Sequence, residues 1–405
     1  MVLTCVSFFS FRRLTLFTGL LASIGLFAVP ANASDHSLDQ ALEHRSVHSV
    51  DIFYNVTTVG KWLTESDGLL MQDPQTSGLT FMGDDIYSVS DASALNHHVR
   101  RLHVIDKNTG VVKEKLGPIE ISPHILGASC FADYLNKNPD YEALVAIPNK
   151  PNQWIAVTED GTRGQKIEGD CFNSFTNNNF TRYPALIVKL ELINDILMLT
   201  GVRALEFSPH DNIDKRSLGQ NVENDGIEGL AFTRDSRLLF GIEQDANRSA
   251  RVFELPYSED VFGTIDSFIR VNDSGLKFPK HMALNNPING MDIYYPNAQS
   301  QGYLIAGARN NDQLWILDLA KQSPTVIVDL NFYAPSDAKC GKEAIHKIRN
   351  TALEGVAVHN STLYLINDPW KQQYPKNVTC IYDKPKYEGF VPLLFELPIN
   401  PDWFK

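Results

Sequence analysis

One short apolar segment recurs five times along the chain. Glu228-Gly-Leu-Ala-Phe232 returns as Glu354-Gly-Val-Ala-Val358, with weaker copies at Ser77-Gly-Leu-Thr-Phe81, Glu142-Ala-Leu-Val-Ala146 and Asn289-Gly-Met-Asp-Ile293. The starts lie 65, 86, 61 and 65 residues apart, a period near 63 with one insertion. Each copy is followed by a second β-rich run: Ile86–Ser90, Trp154–Thr158, Leu238–Ile242, Tyr303–Ala306 and Leu363–Ile366. A third run alternates apolar with polar or aromatic residues: Leu102–Ile105, Leu186–Leu192, Val252–Leu255, Leu314–Leu319 and Leu393–Leu397. Further runs such as Thr325–Asp329 complete the unit.

Three to four short strands repeated at this interval predict an all-β chain folded as a β-propeller of four-stranded blades. A small twisted sheet cannot bury both faces alone, so neighbouring blades must stack into a closed ring. Glycine or alanine second in the segment fits innermost strands crowded at an axis, where bulk has no room. A β-sandwich explains closely spaced turns but not this long recurrence. Five units are readable, and the 86-residue interval leaves room for a sixth. It holds the polar run 171–181 and then the apolar runs 185–192 and 196–207. The β-rich stretch 50–62 lies before the first unit and can supply the outer strand of the last blade.

Residues 1–33 stand apart from the repeat. Arg12 and Arg13 precede an apolar run ending before Pro30, and Ala31-Asn32-Ala33 has the small-x-small pattern of a signal-peptidase site. A membrane anchor needs about 20 apolar residues, and this run is shorter. The expectation is a signal peptide, 1–33, followed by a single propeller domain, 34–405, secreted or periplasmic and free of the membrane. The paired arginines match twin-arginine export only weakly. The chain has 48 acidic and 36 basic side chains, a net charge of −12. No basic face is available to displace phosphate counterions, so nucleic acid and anionic membranes are excluded as partners. A monomer acting on a small molecule is expected.

Cleavage would remove Cys5 and leave Cys130, Cys171, Cys340 and Cys380. An even number in an exported chain reads as two disulfides with three possible pairings. Sequence-near pairing, Cys130–Cys171 and Cys340–Cys380, is preferred because each bridge would pin one irregular insertion. No C-x-x-C or histidine cluster accompanies them, which argues against zinc at the cysteines.

Asp225-Gly-Ile-Glu-Gly-Leu-Ala-Phe-Thr-Arg-Asp-Ser-Arg-Leu-Leu-Phe-Gly-Ile-Glu-Gln-Asp245 resembles the signature segment of the "esterase-like activity of phytase" family. So do Ser77-Gly-Leu-Thr-Phe with Tyr87-Ser-Val-Ser-Asp91, and Leu353-Glu-Gly-Val-Ala-Val with Tyr364-Leu-Ile-Asn-Asp368. The resemblance spans roughly residues 75–370 and implies an exported phytase-like propeller with hydrolase activity. The lysine- and aspartate-rich phosphate motifs of well-studied propeller phytases are absent, as are G-x-S-x-G, a P-loop and G-x-G-x-x-G.

Aligning the units places Ser77, Glu142, Glu228, Asn289 and Glu354 at the start of the innermost strand, where equivalent positions point at the shared axis. Converging carboxylates repel unless a cation or protons neutralise them. Ca²⁺, which takes six to eight oxygen ligands, fits Glu142, Glu228, Asn289 and Glu354 as ligands; hydrogen bonding to backbone N–H groups at the blade junction is the structural alternative. A second set ends the second strands: Asp91, Glu159, Glu243, Asn310 and Asn367, with Asp160, Asp245, Asp312 and Asp368 beside them. Asp91, Glu159 and Glu243 are candidates for activating water, and Arg309, Asn310, Asn367 and Asp368 for contacting substrate. His97, His98 and His281 are further acid–base candidates, with His97-His98 expected to be solvent-exposed and Arg309 and Lys371 expected at the surface. The expected function is calcium-dependent hydrolysis of an ester or phosphoester; the alternatives are a lactonase and a non-catalytic propeller that binds a ligand or protein.

Overall fold

The computed structural model describes residues 52–159, 185–207, 226–242, 249–265, 267–279, 287–341 and 343–405. Residues 1–33, Asp160, Cys171, Glu243, Asp245 and His281 lie outside them. The described residues belong to one unit, Ser49–Lys405. Its strands run in chain order as five antiparallel blades. Strand β1 is Ile52–Trp62. Blade 1 is β2 (Thr76–Met82), β3 (Asp85–Ser90), β4 (Leu102–Asp106) and β5 (Val112–Leu116). After the short β6 (Glu120–Ile121), blade 2 is β7 (Tyr141–Ala146), β8 (Gln153–Thr158), β9 (Leu186–Ile193) and β10 (Ile196–Phe207). Blade 3 is β11 (Ile227–Phe232), β12 (Arg237–Ile242), β13 (Arg251–Pro256) and β14 (Phe268–Asp273). Blade 4 is β15 (Ile288–Tyr294), β16 (Tyr303–Ala308), β17 (Gln313–Asp318) and β18 (Val326–Pro335). The short β19 (Ile345–Lys347) precedes blade 5: β20 (Leu353–His359), β21 (Thr362–Asn367) and β22 (Leu393–Pro398).

Blade 5 is completed from the other end of the chain. Gly60, Lys61 and Trp62 of β1 pair antiparallel with Phe395, Leu394 and Leu393 of β22. The stretch before the first repeat therefore closes the ring, as its β-rich composition predicted. The runs 185–192 and 196–207 do not begin a sixth blade. They form β9 and β10, the outer half of blade 2. The described residues make five blades. Outer strands also reach across blade junctions in parallel, β1 with β18 and β10 with β14.

The inner strands β2, β7, β11, β15 and β20 pack in cyclic order around the axis. Between each pair of blades lies one apolar cluster, built by side chains that alternate along a strand. In β7, Leu144 faces blade 1, while Ala143 and Val145 face blade 3. Both faces of each inner strand are thus buried, which is why the recurring segment reads as a nearly continuous apolar run. Trp154 and Trp315 fill two of these junctions and are fully buried. The fifth cluster, with Leu79, Ile86 and Ile105 against Ala357, Ile366 and Leu394, joins blade 5 to blade 1.

Close approach explains the glycines. Gly78 has φ +65°, and a Cβ there would lie 2.6 Å from the Leu144 nitrogen of the neighbouring inner strand. Gly290 has φ +71°, and its Cβ would lie 2.5 Å from the Glu354 carbonyl oxygen. Outside the ring, Cys340 and Cys380 are bonded, with Cα atoms 5.7 Å apart, as preferred from the sequence. Cys130 is also disulfide-bonded, and its expected partner lies outside the described residues. Disulfides of this kind belong to an oxidising compartment. Among the described residues no helix is long and apolar enough to cross a membrane.

Candidate functional site

All five inner strands break their ladder with the second strand of the blade at the same place. The pairing register shifts between Ser77 and Thr80, Tyr141 and Ala143, Ile227 and Gly229, Ile288 and Met291, and Leu353 and Gly355. Glu142, Glu228, Asn289 and Glu354 sit in these bulges, where an unpaired residue can turn its side chain out of the sheet. Antiparallel pairing sets the start of each inner strand beside the end of the second strand, so Asp91, Glu159 and Asp368 from the strand ends meet Ser77, Glu142, Glu228 and Glu354 at one mouth of the ring. Ser77, Asp91, Ser93, Asp140, Glu142, Glu159, Glu228, Arg309, Glu354 and Asp368 line a cavity of about 210 Å³. Seven of the ten are carboxylates, and none is apolar. At the opposite ends of the inner strands the lining turns largely apolar, with Phe81, Ala146, Phe232 and Val358.

The ring is divided. On one side Arg309 holds Glu354, Nη1 to Oε1 2.8 Å, and its other amino group lies 3.7 Å from Asp368 Oδ2. The buried Asn289 amide nitrogen donates to Glu354 Oε2 at 2.7 Å and to Glu228 Oε2 at 3.2 Å. Reversing that amide would set its oxygen against two carboxylates, so the donor assignment follows from the chemistry. On the other side, oxygens of Asp140, Glu142 and Glu159 lie within 4.8 Å of one another, and the Ser77 hydroxyl donates to Glu142 at 3.3 Å. Two unit charges about 4 Å apart repel by roughly 4 kcal/mol at an effective dielectric of about 20. Three carboxylates at such spacing do not stay ionised together without a counter-charge.

The titration of these groups follows. Burial pushes Glu142 well above the usual carboxylate range, reinforced by Glu228, Asp140, Glu159 and Asp91. Asp368 is pushed up by burial and by Asp91 and Glu354, against the pull of Arg309 and Lys371. Burial raises Glu354 to about 7 although Arg309 and Asn289 lower it. An all-oxygen donor set is the kind that Ca²⁺ takes, and the three clustered carboxylates supply only oxygens. The residues present fit a hard cation on the Asp140–Glu142–Glu159 side.

Asp91 accepts hydrogen bonds from the Ala94 nitrogen at 3.1 Å and the Ser93 hydroxyl at 3.2 Å, which fixes its carboxylate at the cavity wall. Glu159 is buried there. Arg309, expected at the surface, instead reaches into the cavity. Asn310 is exposed and off the lining. Asn367 spends its amide on the fold, donating to the Thr351 carbonyl at 3.0 Å and accepting from the Leu393 nitrogen at 2.7 Å. Lys371 is bound to Asp73 at 3.0 Å and to the Ser93 carbonyl at 2.7 Å. His98, expected in solvent, is fully buried, whereas His97 is exposed.

Asp140 has no acidic counterpart in the other repeats. Asp140 precedes Glu142 by two, where the equivalent residues are Gln75, Gly226, Pro287 and Ala352. A search for register-matched carboxylates passes over it. Its oxygen accepts from the Ala92 nitrogen at 2.8 Å, tying blade 2 to the loop of blade 1.

Neither a protein-family model nor a curated protein matches the chain. Solved structures resemble it at low identity. A putative oxidoreductase (glucose dehydrogenase) from Thermus thermophilus is 10% identical with TM-score 0.36, over 80% of this chain and 96% of that one. Glutaminyl cyclase from Myxococcus xanthus is 11% identical with TM-score 0.35, over 77% and 92%. An α-L-arabinanase from Penicillium chrysogenum, complexed with arabinobiose, is 8% identical with TM-score 0.39, over 85% and 98%. Identities this low say nothing about the reaction.

Proposed function

We propose that this chain is an exported, Ca²⁺-dependent hydrolase of small esters or phosphoesters, the activity implied by its resemblance to the esterase-like phytase family. The observation that supports the reading is the cavity itself: seven carboxylates and one guanidinium, drawn from all five blades, converge on a space of about 210 Å³.

Asp140, Glu142 and Glu159 would hold the cation, with Glu228 beside them. Bound there, Ca²⁺ supplies Lewis-acid polarisation of a carbonyl or phosphoryl oxygen. Arg309, already aligned by Glu354, presents its guanidinium to the oxygen that gains charge. Asp91, oriented by the Ser93 hydroxyl and the Ala94 N–H, takes the proton of the attacking water. Glu159 is close enough to the cation side to serve as ligand, which leaves Asp91 as the base.

A screen of ester, lactone and phosphoester substrates with and without Ca²⁺ tests the proposal. Turnover should require Ca²⁺ and be lost in Glu142→Gln and Glu228→Gln variants that keep the wild-type circular dichroism spectrum. Stoichiometric Ca²⁺ absent by elemental analysis, with a Tm indifferent to chelator, would instead indicate a non-catalytic binding propeller.

A further inference from the structure

Blade 1 carries a second cluster, made of residues that do not line the acidic cavity. His97 and His98 lie in the loop between β3 and β4, and Glu65 lies in the turn after β1. One carboxylate oxygen of Glu65 and one ring nitrogen from each histidine lie within 4.8 Å of one another.

His98 is set up as metal-bound histidines are. It is fully buried, and its Nε2 lies 3.1 Å from the Gln72 carbonyl oxygen. A carbonyl only accepts, so Nε2 carries the proton and Nδ1 keeps its lone pair. That Nδ1 is buried and meets no hydrogen-bond donor. Leaving a buried acceptor unsatisfied is costly, a cost that a coordinated cation removes. Donation of the far N–H to a backbone carbonyl is the contact that fixes tautomer and ring orientation in metal-bound histidines.

The other two groups leave an opening. His97 is exposed, with its ring 4.0 Å from that of His98. Glu65 Oε1 accepts from the Lys115 ammonium at 2.7 Å. Lys115 opposes a cation here, and a metal would take the second carboxylate oxygen. This group cannot hold Ca²⁺ well, because two nitrogens and one oxygen form a borderline donor set.

We propose that Glu65, His97 and His98 bind a divalent transition-metal ion of the Zn²⁺ class, with an open coordination position toward solvent. The propeller then carries two cation sites of different chemistry, an all-oxygen one at the axis and a nitrogen-rich one on blade 1.

The test uses chelator-stripped full-length protein titrated with Co²⁺, whose visible absorption reports nitrogen and oxygen coordination in place of Zn²⁺. One equivalent should bind with a saturable visible band, be displaced by Zn²⁺ and not by Ca²⁺. His97→Ala and Glu65→Gln, at partly or fully exposed positions, should weaken Co²⁺ by at least ~10-fold with unchanged circular dichroism. Glu142→Gln should leave it unaltered. Absence of a stoichiometric band in the wild type, a band undiminished in His97→Ala, or one lost in Glu142→Gln would each overturn the assignment.

Discussion

Glu228 and Glu354 accept hydrogen bonds from the same nitrogen, the side-chain amide of Asn289, at 3.2 and 2.7 Å, from 61 and 65 positions away in the chain. A neutral donor between two buried carboxylates lets three blades meet at the axis. Replacing it with a third acid should therefore cost far more than an ordinary Asn-to-Asp change. Asn289→Asp removes two donated bonds and adds a charge, and breaking buried charge networks in this way costs about 3–5 kcal/mol. Urea unfolding at neutral pH measures it. The penalty should shrink as the pH falls, since protons then replace the missing donor; a penalty independent of pH would show that the carboxylates do not interact.

The same carboxyls give the cation-free protein an unusual pH dependence. Glu354 is raised to about 7, and Glu142 and Asp368 are likewise pushed well above the usual carboxylate range by burial and by neighbouring carboxylates. A group whose folded value exceeds its unfolded one binds protons more tightly when folded. Its stabilisation is complete below the unfolded value, 4.5 for Glu, and is lost as pH rises through the folded one. Stability should accordingly fall between pH 4.5 and about 7 in chelator, and Ca²⁺ should flatten that slope. Unfolding midpoints across the window check it; a rise with pH would mean that the acids are ionised and well partnered in the fold.

The ring and its acidic mouth were legible because both obey the repeat. Residues one period apart occupy one place in five blades, so Glu142, Glu228, Asn289 and Glu354 can be aligned without coordinates. The stretch 50–62 was readable as a closing strand because a ring of sheets needs one. Features set by packing between distant segments were not readable. His98 stands in a polar loop, yet the Gln72 carbonyl and the buried face holding His103 and Ser90 enclose it. Asn367 reads as a turn former and is in fact a brace between Thr351 and Leu393. Asp140 falls outside the repeat altogether.

Glycine at the second position of the recurring segment should be replaceable only at a high cost. Gly78→Ala meets both a left-handed backbone and the Leu144 nitrogen at 2.6 Å. Left-handed geometry alone costs an L-residue about 1–2 kcal/mol, and displacing a neighbouring strand adds to it. Gly68, with φ +83° and nothing within 4 Å of a built Cβ, isolates the first contribution. Gly68→Ala should lose roughly 1–2 kcal/mol, and Gly78→Ala clearly more, measured as shifts in urea midpoint. Equal losses would mean that the inner strands can separate freely.

Arg309 separates the roles of counter-ion and substrate contact. Its guanidinium neutralises Glu354 at 2.8 Å within a cavity of seven carboxylates. Removing that charge with Arg309→Met leaves the cavity more negative, so a cation on the Asp140–Glu142–Glu159 side should bind more tightly. Removing a unit charge from the same cavity, at an effective dielectric of about 20, changes binding by on the order of 1–2 kcal/mol, which makes an increase of ~10-fold in Ca²⁺ affinity the expected scale. Turnover of an anionic substrate should move the other way, because the group that meets its negative oxygen is gone. Arg309→Lys keeps the charge but not the fork that spans two oxygens, and should retain wild-type Ca²⁺ affinity while losing part of the turnover. Calorimetric titration of Ca²⁺ beside steady-state kinetics on the three proteins distinguishes the cases. If Ca²⁺ affinity and turnover rise or fall together, Arg309 acts only through the cation; opposite movement makes it a substrate contact in its own right.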